Sequence, residues 1–264
     1  MALLIPVLLL YGLSCALYLA FLVAPRDGLA RLARVALVLG LLAHTADIGV
    51  RCVHGLHPVA TAQEAVSFAA WLLVGAYLVI SLRYRSVVVG GFVAPVALVG
   101  MVLARLSPSA PAAVPPGGLS TIGRIHITLS MIGVAMFALA AAVAVIYLVS
   151  ESQLKAKKIG ILQQRGLPLA TLDALGHRCI TLGFPVFTIA IVTGAVWVAQ
   201  LHVAGAALRP EYSISMMTWL AFGALLLARA AAGWQGRRAA WLTLAGFGGA
   251  LAVVLIYLMR SVAG

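Results

Sequence analysis

Two short stretches hold the residues best suited to chemistry in this 264-residue chain. In "LLAHTADIGVRCV", His44, Asp47 and Arg51 stand at i, i+3 and i+7, which places them on one face of a helix. In "GRIHITLSMIG", Arg124 and His126 open a long run without a single charge. An imidazole exchanges a proton near neutral pH and ligates transition metals. A carboxylate beside it fixes its tautomer, and a guanidinium grips carboxylates through paired hydrogen bonds. Two readings of the first stretch stay open. One is a structural Asp47–Arg51 pair with His44 hydrogen-bonded beside it. The other is a stripe facing a polar cavity or a cofactor, with Asp47 orienting His44.

The elements that position these residues belong in lipid. Hydrophobic residues make up 64% of the chain and charged ones 9%, whereas soluble domains are about half apolar and a quarter charged. Eight apolar runs stand out, at 2–23, 32–53, 66–82, 86–105, 126–149, 179–202, 213–232 and 239–260. They predict an all-α polytopic membrane helix bundle, with residues 1–264 forming a single integral membrane domain. Helices satisfy their own backbone in a bilayer, and the runs are too uniformly apolar for alternating barrel strands. The first run lacks a basic leader and reads as a transmembrane helix rather than a signal peptide.

The net charge of +12 does not point to nucleic acid, because the cations cluster between apolar runs. Of 18 Lys and Arg, only Arg51, Arg105, Arg124, Arg209 and Arg260 lie at the far ends of even-numbered runs or in the loops after them. The positive-inside rule then puts both termini outside. The inner segment "ESQLKAKKIGILQQRGLPLATLDALGH" reads as a basic connector, part of it helical along the membrane surface. Cys15, Cys52 and Cys179 are too scattered for a disulfide framework and read as small buried hydrophobes. The tryptophans fall near run ends, as in an aromatic belt.

This topology sorts the histidines. His54, His57, His126 and His202 gather at the outer face, and His44 lies roughly 10 Å below it at about 1.5 Å per residue. His177 alone is inside. The plain reading of His126 is an interfacial residue that begins an apolar run. The alternative is an axial ligand to haem iron, with Arg124 meeting a propionate. No nucleophile elbow, metalloprotease helix or phosphate loop is present, which speaks against an enzyme. A small-molecule transporter using the His44–Asp47–Arg51 stripe is a further reading.

Longer stretches carry a family resemblance. "RIHITLSMIGVAMFALAAAVAVIYLVSESQLKAKK" resembles the histidine-first helix of CcsA-type cytochrome c assembly proteins. Residues 217–247, with Trp219-Leu220, Arg229 and the junction Gly233-Trp234-Gln235-Gly236-Arg237-Arg238, are similar to that family's last two helices. The resemblance runs from about residue 35 to 264. A short eight-helix subgroup, the YpjD and HemX-like proteins, also has a histidine in helix 2, matched by His44, and a "QLK-KK" inner loop. The resemblance implies a haem-binding or haem-handling protein of the bacterial cytoplasmic membrane, acting in cytochrome c assembly beside other assembly proteins. It implies His126 as the haem iron ligand. His44 is a second metal ligand candidate, and His202 and Arg124 are further cofactor contacts. Haem would be held or only passed on. The alternative is a HemX-like regulator without haem, acting on a cytosolic haem-synthesis enzyme through residues 150–178. One outer segment departs from the family. In "LRPEYSISMMTWL", Arg209 and Ile214 stand where the family has Asp and Trp.

Overall fold

The computed structural model describes residues 4–55, 57–84, 86–106, 120–157, 165–201 and 209–263. Eight helices are found among them: α1 (Leu4–Val23), α2 (Asp27–Val53), α3 (Ala62–Tyr84), α4 (Val87–Leu106), α5 (Thr121–Lys155), α6 (Leu169–Gln200), α7 (Pro210–Ala232) and α8 (Arg237–Ala263). All eight are long and apolar enough to cross a bilayer. The described residues contain no strand. An even number of crossings returns the chain to the face on which it started, and the Lys/Arg bias makes that the outer face.

Local signals set several helix ends. The Ser120 side chain caps α5 by accepting from the Gly123 N–H at 3.1 Å. Thr61 and Glu64 form a reciprocal capping box at the start of α3, with bonds of 3.1 and 3.2 Å. Gly233 ends α7 in the left-handed region at φ 64°. The helices outrun the apolar runs, most of all at the inner face. There α5 continues to Lys155 and α6 begins at Leu169. Among the described residues, the helical part of the inner connector consists of extensions of α5 and α6, because helical hydrogen bonding does not stop where the hydrocarbon does. At 35 residues, α5 spans about 52 Å against a core of about 30 Å.

Helix α1 packs on α2 and α4, α3 on α4 and α5, and α7 on α6 and α8. Helix α5 touches α3, α4, α6 and α8, and its residues Phe137 to Ala144 are buried on every side. Five alanines in that stretch let four neighbours approach closely. Two sequence expectations need correction. Cys52 is exposed, unlike Cys15 and Cys179, because it lies near the outer end of α2. Trp197 and Trp219 are packed between helices rather than along a belt, the first on the His126 ring and the second stacked on Phe184.

Candidate functional site

His126 sits one and a half turns into α5 and turns toward α6. Its Nδ1–H donates to the Ala190 carbonyl at 2.7 Å. A carbonyl only accepts, so this bond places the proton of a neutral ring on Nδ1 and leaves a lone pair on Nε2. The ring lies 5.9 Å from Trp197, centroid to centroid, and against Gly194. A Cβ at Gly194 would lie 2.6 Å from the ring's Cε1. The glycine is what lets the imidazole seat on α6.

His44 is in a different setting. It is fully buried, with Tyr11 Oη 3.2 Å from Nδ1 and Ser67 Oγ 2.9 Å from Nε2. The Ser67 hydroxyl donates on to Met101 Sδ at 3.5 Å. One orientation satisfies the chain: Tyr11 donates to Nδ1, Nε2–H donates to Ser67, and Ser67 donates to Met101. The chain links α1, α2, α3 and α4 and uses both ring nitrogens of His44. His44→Leu is expected to cost about 2 kcal/mol, because it strands the Tyr11 and Ser67 hydroxyls in a dry interior. A detergent-unfolding midpoint equal to wild type would contradict it.

Asp47 and Arg51 form an ion pair at 2.8 Å, with side chains 8% and 24% exposed. The structural pair foreseen in the sequence is therefore present. Asp47 is not among the partners of His44. Arg124 is exposed and lines an open hollow of about 450 Å³ with His57, Thr121, Ile125, Thr128 and Leu129. His126 is in the same turn of α5 but faces α6, so the two residues look in different directions. His202 lies outside the described residues.

The inner face carries a constellation that sequence reasoning missed. The Asp173 carboxylate on α6 accepts from Arg229 Nη1 at 3.1 Å, from Arg229 Nη2, and from the Gly236 N–H at 2.8 Å. Both side chains of the pair are only 14% exposed. The Tyr147 hydroxyl packs on Gly236, whose φ is 68°, and His177 lines the same small cavity. The G-W-Q-G junction thus has a physical reason: two left-handed glycines turn the chain so that one backbone N–H meets Asp173. The signal available in sequence was Asp173 itself, one of two acids in a basic segment, and Arg229, a lone cation near the end of an apolar run.

No group of three or more His, Cys, Asp or Glu that could hold a bare metal ion occurs among the described residues. Haem does not require one, because the porphyrin supplies its own nitrogens and the protein adds axial ligands. These features define a polytopic membrane protein with one oriented histidine near its outer face. The chain belongs to the Cytochrome C assembly protein family, which it matches over residues 59–263. It is similar to Cytochrome c biogenesis protein CcsA of Synechococcus elongatus, at 28% identity covering 94% of this chain and 88% of that one. The CcsA of Pyropia yezoensis is 27% identical over 88% of this chain and 84% of its own. That of Picosynechococcus sp. reaches 46%, but over 77 residues, 29% of this chain and 23% of its own. No solved structure matches.

Proposed function

We propose that this protein handles haem at the outer face of the bacterial cytoplasmic membrane during cytochrome c assembly, with His126 as an axial ligand. The observation that carries this reading is the 2.7 Å bond from His126 Nδ1 to the Ala190 carbonyl. Histidines that bind metals commonly donate their other N–H to a carbonyl or carboxylate, which fixes ring and tautomer and raises ligand basicity. Family membership and the names of the relatives supply the pathway.

In this reading the protein binds and passes on a cofactor rather than catalysing a reaction, beside other assembly proteins. His44 is a structural histidine, since ligation would require it to abandon Tyr11 or Ser67. The His44–Asp47–Arg51 stripe is engaged by its own side chains and by α1 and α3, which weighs against a transport role. The purified protein from haem-replete cells is expected to show a Soret band that shifts or disappears in His126→Ala. A band unchanged by that substitution overturns the assignment.

A further inference from the structure

The side chains of the whole chain supply six carboxylates, and each of them is already engaged. Asp27 pairs with Arg165, Asp47 with Arg51, Glu151 with Lys155, Asp173 with Arg229 and Glu211 with Arg260. Glu64 closes the capping box of α3. A further cation therefore takes its counter-charge from outside the protein. Arg237 and Arg238 stand side by side in the first turn of α8, at the inner face, and both are exposed. Neither forms an ion pair among the described residues. Two like charges this close repel, and an anion shared between them relieves the repulsion.

The surroundings of the pair are built rather than loose. The Gly236 N–H just before it is held by Asp173 at 2.8 Å. Trp234 meets Arg238, whose guanidinium carbon is 5.9 Å from the ring centre. This cation–π contact restricts where the side chain points. Trp241 lies one turn further into the membrane, about 6 Å along the helix axis, and is 55% exposed. An exposed tryptophan at that depth sits at headgroup level, with its apolar ring toward the chains.

We infer that Arg237 and Arg238 hold the phosphate of an acidic phospholipid from the inner leaflet, with its glycerol and upper acyl chains lying against Trp241. A phosphodiester carries one negative charge on two equivalent oxygens, which the planar fork of arginine meets in pairs. A zwitterionic lipid cancels that charge with its own cation, so the site prefers an acidic head. Dissolved phosphate offers the same oxygens but nothing to cover the exposed ring of Trp241, which is why the occupant is a lipid. The inference is independent of the haem reading and concerns the opposite face of the membrane.

The test places full-length protein in nanodiscs of mixed phosphatidylcholine and phosphatidylglycerol, one or the other brominated on its acyl chains close to the glycerol. Bromine quenches tryptophan on contact. The quenching lost in Trp241→Phe therefore reports which lipid lies beside Trp241. Phosphatidylglycerol is expected to be preferred over phosphatidylcholine about tenfold in wild type. Arg237→Gln and Arg238→Gln are each expected to lower that preference about three- to fivefold, and the double variant to bring it to about parity. Each single variant is read on its own if the double one unfolds. Arg31→Gln combined with Arg83→Gln removes the same charge from exposed inner positions on α2 and α3 and is expected to keep the wild-type preference. A preference unchanged in the Arg237 and Arg238 variants overturns the inference. An equal loss in the Arg31 and Arg83 variant overturns it too, because the effect is then one of diffuse charge. Millimolar inorganic phosphate is expected to leave the quenching unchanged. Phosphate that abolishes the preference assigns the arginines to a dissolved anion and overturns the lipid assignment.

Discussion

Gly194→Ala is expected to weaken haem binding by about 10- to 100-fold while His126 stays in the sequence. The new methyl would lie 2.6 Å from Cε1 and 2.8 Å from Nδ1 of the imidazole, closer than side-chain carbons ever sit. The ring must tip away, and tipping breaks its 2.7 Å bond to the Ala190 carbonyl. The tautomer and the direction of Nε2 are then no longer fixed. Alanine is otherwise the better residue inside a helix by about 1 kcal/mol, so a general loss of helix stability is not the explanation. Gly49→Ala is the control, since a Cβ there meets nothing within 4 Å. Haem titrations of both variants, read at the Soret band, decide the matter. Equal affinity in wild type and Gly194→Ala would show that the seat of His126 on α6 does not matter for haem.

The second large effect lies at the opposite face. Asp173→Asn is expected to lower stability by about 3 kcal/mol, seen as an earlier unfolding midpoint in detergent. The amide can still accept from the Gly236 N–H, but the Arg229 guanidinium loses its counter-charge in a place only 14% exposed. Removing one partner of such a pair leaves the other charge uncompensated, which is why the loss exceeds that of a surface pair. The contrast is internal to the molecule. Arg165 pairs with Asp27 at 2.8 Å with side chains 47% and 73% exposed, and breaking that pair should change the midpoint by less than about 1 kcal/mol. If both substitutions have the same small effect, the inner constellation is not a structural joint.

The eight helices were legible because apolar length is a one-dimensional signal. So was the Asp47–Arg51 pair, because its partners are one helical turn apart. The limits of α5 and α6 at the inner face were not, since Glu151, Lys155 and Asp173 look like loop residues by composition yet extend each helix past the hydrocarbon. Partners distant in sequence were the harder part. Nothing in the string connects His126 to the carbonyl of Ala190, 64 residues away, or Asp173 to Arg229, 56 residues away. His126 stood first as a candidate ligand and His44 second, but nothing in the string showed how either ring is held. Only the packing of α1 and α3 around one, and of α6 against the other, separates a histidine whose nitrogens are both bound from one with a nitrogen in reserve.

Helix α5 is enclosed between Phe137 and Ala144, while α7 stands at the rim and shows Met216, Met217, Leu220 and Leu227 to its surroundings. Both helices are apolar enough to cross a bilayer, but they face different rules of substitution. On α7 one apolar side chain can replace another along much of the surface, because lipid tails reshape around it. In the enclosed part of α5 every added methyl meets a neighbouring helix. Drift among descendants of this sequence is therefore steered away from the α5 interior, and the histidine and the tyrosine it carries toward opposite faces keep their spacing while the rim of the bundle changes.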